Sequence, residues 1–93
     1  MGYYIQTGTA KGKATEIERE HGAIRVTQDD AQHCIVDPAL AVIVVVDNGP
    51  FEAAAFAYNK DEFEAFTLTH DRRPKVFLVM DRKTAKAVTD CPY

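Results

Sequence analysis

Residues 41–59 constrain what this chain can fold into more than any other stretch. Ala41-Val42-Ile43-Val44-Val45-Val46 is a β-branched run with no polar interruption. Such a run predicts a strand buried on both faces. Asp47-Asn48-Gly49 follows, and Asn and Gly accept the positive φ of a tight hairpin. Residues 75–80 supply a second core strand, with Val76-Phe77-Leu78-Val79 continuously apolar. Strands covered on both faces need packing elements above and below the sheet. The expectation is an α+β fold. It comprises a mixed sheet of about four or five strands packed with three short helices. At 93 residues the chain makes a single small domain with a thin core, residues 1–93.

The segment after the turn admits two readings. As a strand, residues 51–58 pair back on the central strand. As a helix, they place Pro50 at N1, Glu52 at N3 and a run of alanines behind. The strand is favoured by what comes next. Asn59 and Glu62 have the spacing of a capping box, and Tyr58 and Phe63 that of a hydrophobic staple. That signature starts a new helix at Lys60, which would be redundant in a chain already helical.

Residues 2–7, with Tyr3, Tyr4 and Ile5, read as a first strand ended by Gly8. Residues 9–21 read as a helix whose apolar face is Ala10, Ala14, Ile17 and His21, with Gly22 at the left-handed stop. Residues 23–27 alternate as a strand, after either a parallel crossover or an antiparallel return. Residues 28–32 are polar and read as a loop, 33–36 as a short edge strand, and Asp37-Pro38 as a turn. A helix follows over 60–68 with Phe63, Ala65 and Phe66 inward, then a polar loop over 69–74. Asp81 caps a last helix over 82–90, with Ala85 and Val88 inward and Pro92 as its stop.

Composition narrows the function classes. A net charge of −3 argues against a dedicated nucleic-acid binder, because phosphate neutralisation dominates such affinity. No apolar run approaches the roughly 20 residues of a membrane-spanning helix. The opening Met1-Gly2-Tyr3-Tyr4-Ile5 lacks the plan of a secretory signal, so the expected location is the cytoplasm. Cys34 and Cys91 match no zinc or redox spacing, and Cys34 reads as a small buried hydrophobe. His21, His33 and His70 have no metal-ligand spacing either, so neither metal nor cofactor is expected.

Two sets of polar residues are candidates for function. Asp47, Asn48 and Asp81 follow the two core strands, and ligand sites in α/β sheets lie at the carboxyl ends of strands. If those strands are parallel neighbours, Asp47 and Asp81 share one edge. Arg72 and Arg73 in His70-Asp71-Arg72-Arg73 could grip a carboxylate or phosphate there. Against this, Asp is an ordinary turn and N-cap residue, and the arginines could simply pair with nearby acids. Gly8-Thr9-Ala10-Lys11-Gly12-Lys13 lacks Walker spacing. It leaves at most an anion site at a helix N-terminus, flanked by Lys11 and Lys13. The second set is acidic: Glu16, Glu18 and Glu20 on the first helix, or Asp61, Glu62 and Glu64 on the next.

Several segments carry a resemblance. They are Lys11-Gly12-Lys13-Ala14 with His21-Gly22-Ala23, the central Val45-Val46-Asp47-Asn48-Gly49-Pro50-Phe51-Glu52-Ala53-Ala54, and Glu62-Phe63-Glu64-Ala65-Phe66. Arg73-Pro74-Lys75 and Leu78-Val79-Met80-Asp81 complete them. Together they resemble small proteins of tailed bacteriophages to which no activity is attached. The resemblance implies a setting, a phage gene product acting inside a bacterium, and no catalytic residue. The expected function is therefore non-enzymatic: a phage accessory protein that binds and modulates, as an inhibitor, a host bacterial protein through one acidic helix. The alternatives are a small-ligand or nucleotide-binding domain with its site at the strand ends, and a self-assembling protein that dimerises through an open sheet edge.

Overall fold

A computed structural model describes residues 9–89. The strand expected over 2–7, Cys91 and the Pro92 stop lie outside the described residues. The elements run α1 (Ala10–His21), β1 (Ile24–Val26), α2 (Gln28–Cys34), β2 (Leu40–Asn48), β3 (Phe51–Tyr58), α3 (Lys60–Thr67), β4 (Lys75–Asp81) and α4 (Arg82–Val88).

The strands form one sheet in the order β1-β4-β2-β3, and every neighbouring pair is antiparallel. The sheet is therefore not mixed. Its register explains why. Gly49, at φ 65°, reverses the chain between β2 and β3, so Val44 lies opposite Phe56 and Val42 opposite Tyr58. Helix α3 then carries the chain back to the hairpin end, and β4 enters on the far side of β2 with Lys75 opposite Val46 and Asp81 opposite Leu40. Residues 51–58 are thus a strand, as the capping box after them implied. Both halves of that box are formed: Glu62 N–H donates to Asn59 Oδ1, and Asn59 N–H to Glu62 Oε1, each at 2.9 Å.

The sheet is covered on both faces, as β2 demands. Ala41, Ile43 and Val45 point to one face, under Ala10, Ala14 and Ile17 of α1 and Ala85 of α4. Val42, Val44 and Val46 point to the other, under Ala31 of α2 and Phe63 of α3. Phe63 is fully buried and meets Phe77 edge-on, with ring centroids 5.8 Å apart. Tyr58 and Phe66 stack at 5.4 Å beside them. Burial of this kind contributes about 1.5–3 kcal/mol for each large side chain.

Three local expectations are corrected. Residues 28–34 are helical, so the expected loop and the edge strand over 33–36 are absent. Thr27 caps this helix by accepting from Asp30 N–H at 3.2 Å, Asp29 and Asp30 occupy its positive end, and Ala31 and Ile35 bury one narrow stripe. His21 is exposed, because Gly22 turns the chain away at φ 72° with its N–H on Glu18 O at 2.9 Å. Ala65 is also exposed, since Phe63 and Phe66 alone fill the inward stripe of α3. Cys34 is half-buried beside the second core cluster.

Candidate functional site

The antiparallel sheet decides the fate of the strand-end set. β2 and β4 run in opposite directions, so Asp47 lies at the hairpin end while Asp81 lies at the other end, opposite Leu40. The two carboxylates share no edge. Asp47 and Asn48 do come close to the loop that holds Arg72 and Arg73, because Asp47 N–H donates to Pro74 O at 3.0 Å.

Each aspartate has an internal employment. Asp47 is half-buried and its Oδ1 accepts the N–H of Ala10, the first residue of α1. Thr9 adds the local cap by accepting from Gly12 N–H at 3.0 Å. The helix N-terminus flanked by Lys11 and Lys13 thus already holds an anion, the Asp47 carboxylate. Lys13 is buried and lies 3.8 Å from Glu52. Asp81 caps α4, accepting Thr84 N–H at 2.9 Å, and these bonds to Thr84 hold its pKa below the ordinary carboxylate value. Asp71 grips Arg73 with both oxygens, Nε to Oδ1 at 3.0 Å and Nη2 to Oδ2 at 2.7 Å. Hydrogen bonds from the Arg73 side chain and backbone hold the Asp71 carboxyl well below its ordinary range. Arg72 is exposed. Beside this loop is a cavity of about 50 Å³ lined by Gln28, Phe66, Thr67, Thr69, Asp71 and Lys75. It has room for a water or two, far less than the roughly 300–1,000 Å³ of a small-molecule site. Lys75, on its wall, donates from Nζ to Asp71 O at 2.7 Å and Arg73 O at 2.8 Å.

The acidic candidates separate by layer. On α1, Glu18 is tied to Arg25 at 2.7 Å, Glu16 is half-buried and Glu20 is exposed. Lys11, Lys13 and Arg19 are interleaved with them, so this helix presents no single sign of charge. On α3, Asp61, Glu62 and Glu64 are all exposed, and Glu62 also closes the capping box. Helix α2 packs against α3 on the same face of the sheet and adds Asp29 and Asp30. Sequence reasoning missed these two by reading residues 28–32 as a loop. Thr27 with Asp30 three positions on was the available signal, a side-chain cap followed by acids in the first turn. The α2/α3 layer therefore carries Asp29, Asp30, Asp61, Glu62 and Glu64 against Lys60 and the imidazole of His33. The layer behind the sheet ends instead in Arg82, Lys83 and Lys86 of α4.

Among the described residues, no group of three or more His, Cys, Asp or Glu is placed to hold a metal ion. No helix among them is long and apolar enough to cross a membrane. Comparison with protein-family models, with curated proteins and with solved structures finds no significant match.

Proposed function

We propose that this chain is a non-enzymatic binding protein that docks through the acidic α2/α3 layer onto a basic surface of another protein. In the setting that the phage resemblance implies, the partner is a host bacterial protein in the cytoplasm, and occupying its basic surface inhibits it. The observation that carries this reading is the segregation of charge by layer: exposed Asp29, Asp30, Asp61 and Glu64 share one face of the sheet, whereas the acids of α1 are interleaved with bases. A surface of one sign steers an oppositely charged partner and rejects like-charged ones. The strand-end alternative has less support, because Asp81 lies at the opposite end of the sheet from Asp47 and both aspartates cap helices.

The test is capture from bacterial lysate by the tagged chain and by the variant Asp61→Lys/Glu64→Lys. Both substitutions lie on exposed positions and spare the capping box. One dominant protein should be retained by the wild type, lost by the variant and weakened at about 0.5 M salt, where screening is strong. Equal retention by both forms, indifferent to salt, refutes the docking surface.

A further inference from the structure

The chain has two asparagines, and the fold treats them differently. Asn59 is fully employed. Its Oδ1 accepts Glu62 N–H and its own N–H donates to Glu62 Oε1, each at 2.9 Å. Asn48 is exposed, and among the described residues no hydrogen bond engages its side chain. The next residue is Gly49, also exposed and at φ 65°. The β2–β3 ladder ends with Asn48 opposite Phe51, so the Gly49 N–H lies outside it. A Cβ at Gly49 would meet nothing within 4 Å. Neither a side chain at 49 nor a neighbour in that space screens the peptide between the two residues. The pairing also slips between Val46 and Asn48, which leaves the hairpin tip irregular.

We infer that Asn48 is a site of spontaneous modification, converted by solvent water to aspartate and isoaspartate through a cyclic imide. The chemistry needs a side-chain amide, the backbone nitrogen of the next residue and water, and the exposed tip offers all three. Hydroxide takes the proton of Gly49 N, which attacks Asn48 Cγ. The N–Cγ bond forms, the Cγ–Nδ2 bond breaks, and Nδ2 leaves as ammonia with a proton from water, which regenerates hydroxide. A five-membered ring is closed. Holding both reacting groups in one chain gives the attack a high effective concentration. Water then opens the ring. Cleavage between Gly49 N and Cγ leaves aspartate. Cleavage between Gly49 N and the Asn48 main-chain carbonyl leaves isoaspartate, with the chain running through Cγ. In sum a water is consumed and an ammonia released, with no change of oxidation state. The extended backbone of Asn48 must turn to bring the two atoms together. The reaction therefore runs through opening of the last ladder pair, the one that frays most readily. Its product sets a new carboxylate beside Asp47, whose own carboxylate holds the start of α1. Isoaspartate also lengthens the backbone next to the bond from Asp47 N–H to Pro74 O. The modification lies at the hairpin end and does not depend on the docking role of the α2/α3 layer.

The test incubates the full wild-type chain, folded, in mildly alkaline buffer and follows it by peptide mapping in a mass spectrometer. Residue 48 should gain the mass difference between an amide and an acid at least roughly tenfold faster than residue 59, whose amide must first leave its capping box. Aspartate and isoaspartate should both appear, the second scored by enzymatic methylation of its free α-carboxyl group. Ammonia should accumulate in step, and the rate should rise with pH. Gly49→Ala should slow the reaction, but a side chain is strained at that positive φ. Asn48→Gln is the second variant. It keeps an exposed amide and should react at least roughly tenfold more slowly, because its ring needs an extra atom. The same chain unfolded in urea measures what the fold does to the rate. Conversion in urea but none in the folded chain overturns the inference, because the fold then protects the tip. So does conversion at residue 59 as fast as at residue 48. Aspartate alone overturns it too, since a ring that opens at either bond leaves isoaspartate as well.

Discussion

Replacing Asp47 distinguishes a helix-capping residue from a ligand-binding one. Its Oδ1 accepts the N–H of Ala10, which is 3% exposed and has no water to turn to. Asp47→Ala removes that acceptor and leaves a buried donor unpaired. Loss of a cap costs about 0.5–2 kcal/mol, and a hydrogen bond to a charged group contributes about 1.5–3 kcal/mol. About 1.5 kcal/mol is therefore expected. For a domain of this length that is a fall in Tm of roughly 6–12 °C. Asp47→Asn keeps an oxygen acceptor and loses only the charge at the positive end of α1, about 0.5 kcal/mol. Asn48→Ala next to it, on an exposed position, should stay within about 0.5 kcal/mol of the wild type. The assay is urea unfolding followed by far-UV circular dichroism, with the slope m checked for constancy. The reasoning fails if Asp47→Ala lies within about 0.3 kcal/mol of the wild type, or if Asn is no better than Ala. It fails equally if a nucleotide or divalent cation raises the Tm of the wild type but not of Asp47→Asn, since that is the mark of a ligand site.

Phe63→Ala removes the largest fully buried side chain and should cost about 3–5 kcal/mol, enough to leave much of so small a domain unfolded at 25 °C by circular dichroism, whereas Phe63→Leu should retain a cooperative transition. Asn59→Ala opens the capping box and should cost about 1 kcal/mol in the same urea assay, with α3 fraying first in amide exchange. Asp71 and Asp81 have depressed pKa values in the folded chain. Their contribution to stability is complete above the unfolded carboxylate value of about 3.9 and is lost as pH falls below it toward the folded values. Stability measured down the acid limb should therefore drop below about pH 4, and Asp71→Asn should flatten that drop, because the stability Asp71 supplies at neutral pH is then absent throughout.

Much of the fold could be read from residues alone, and the failures share a cause. The buried strands announced themselves because β2 and β4 are apolar without interruption, and β3 was separated from a helix by the capping box at Asn59 and Glu62. Helix α2 escaped because its seven residues bury only a narrow stripe, around Ala31 and Ile35, so hydrophobic periodicity had almost nothing to register. Strand direction was the deeper gap. Nothing in Ala41-Val42-Ile43-Val44-Val45-Val46 or Val76-Phe77-Leu78-Val79 says whether the two runs are parallel, yet that choice places Asp47 and Asp81 together or apart. The acidic layer was half visible. Asp61 and Glu64 were named from their helix, but Asp29 and Asp30 join them only once tertiary packing lays α2 beside α3.

The position of β4 between β1 and β2 has a consequence for how the chain is made. A nascent chain emerges from its N-terminal side, so α1 and β1 are synthesised long before the strand on which β1 must pair. Ile24 meets Val79, and that contact does not exist until residue 79 has left the ribosome. The β2–β3 hairpin closes locally and forms early, but the α1 face stays only partly covered until β4 arrives. An arrest or truncation before residue 75 would therefore not yield a smaller folded unit. It would yield a hairpin with one of its core edges open and an amphipathic helix resting on β2 and β3 without the β4 part of its bed.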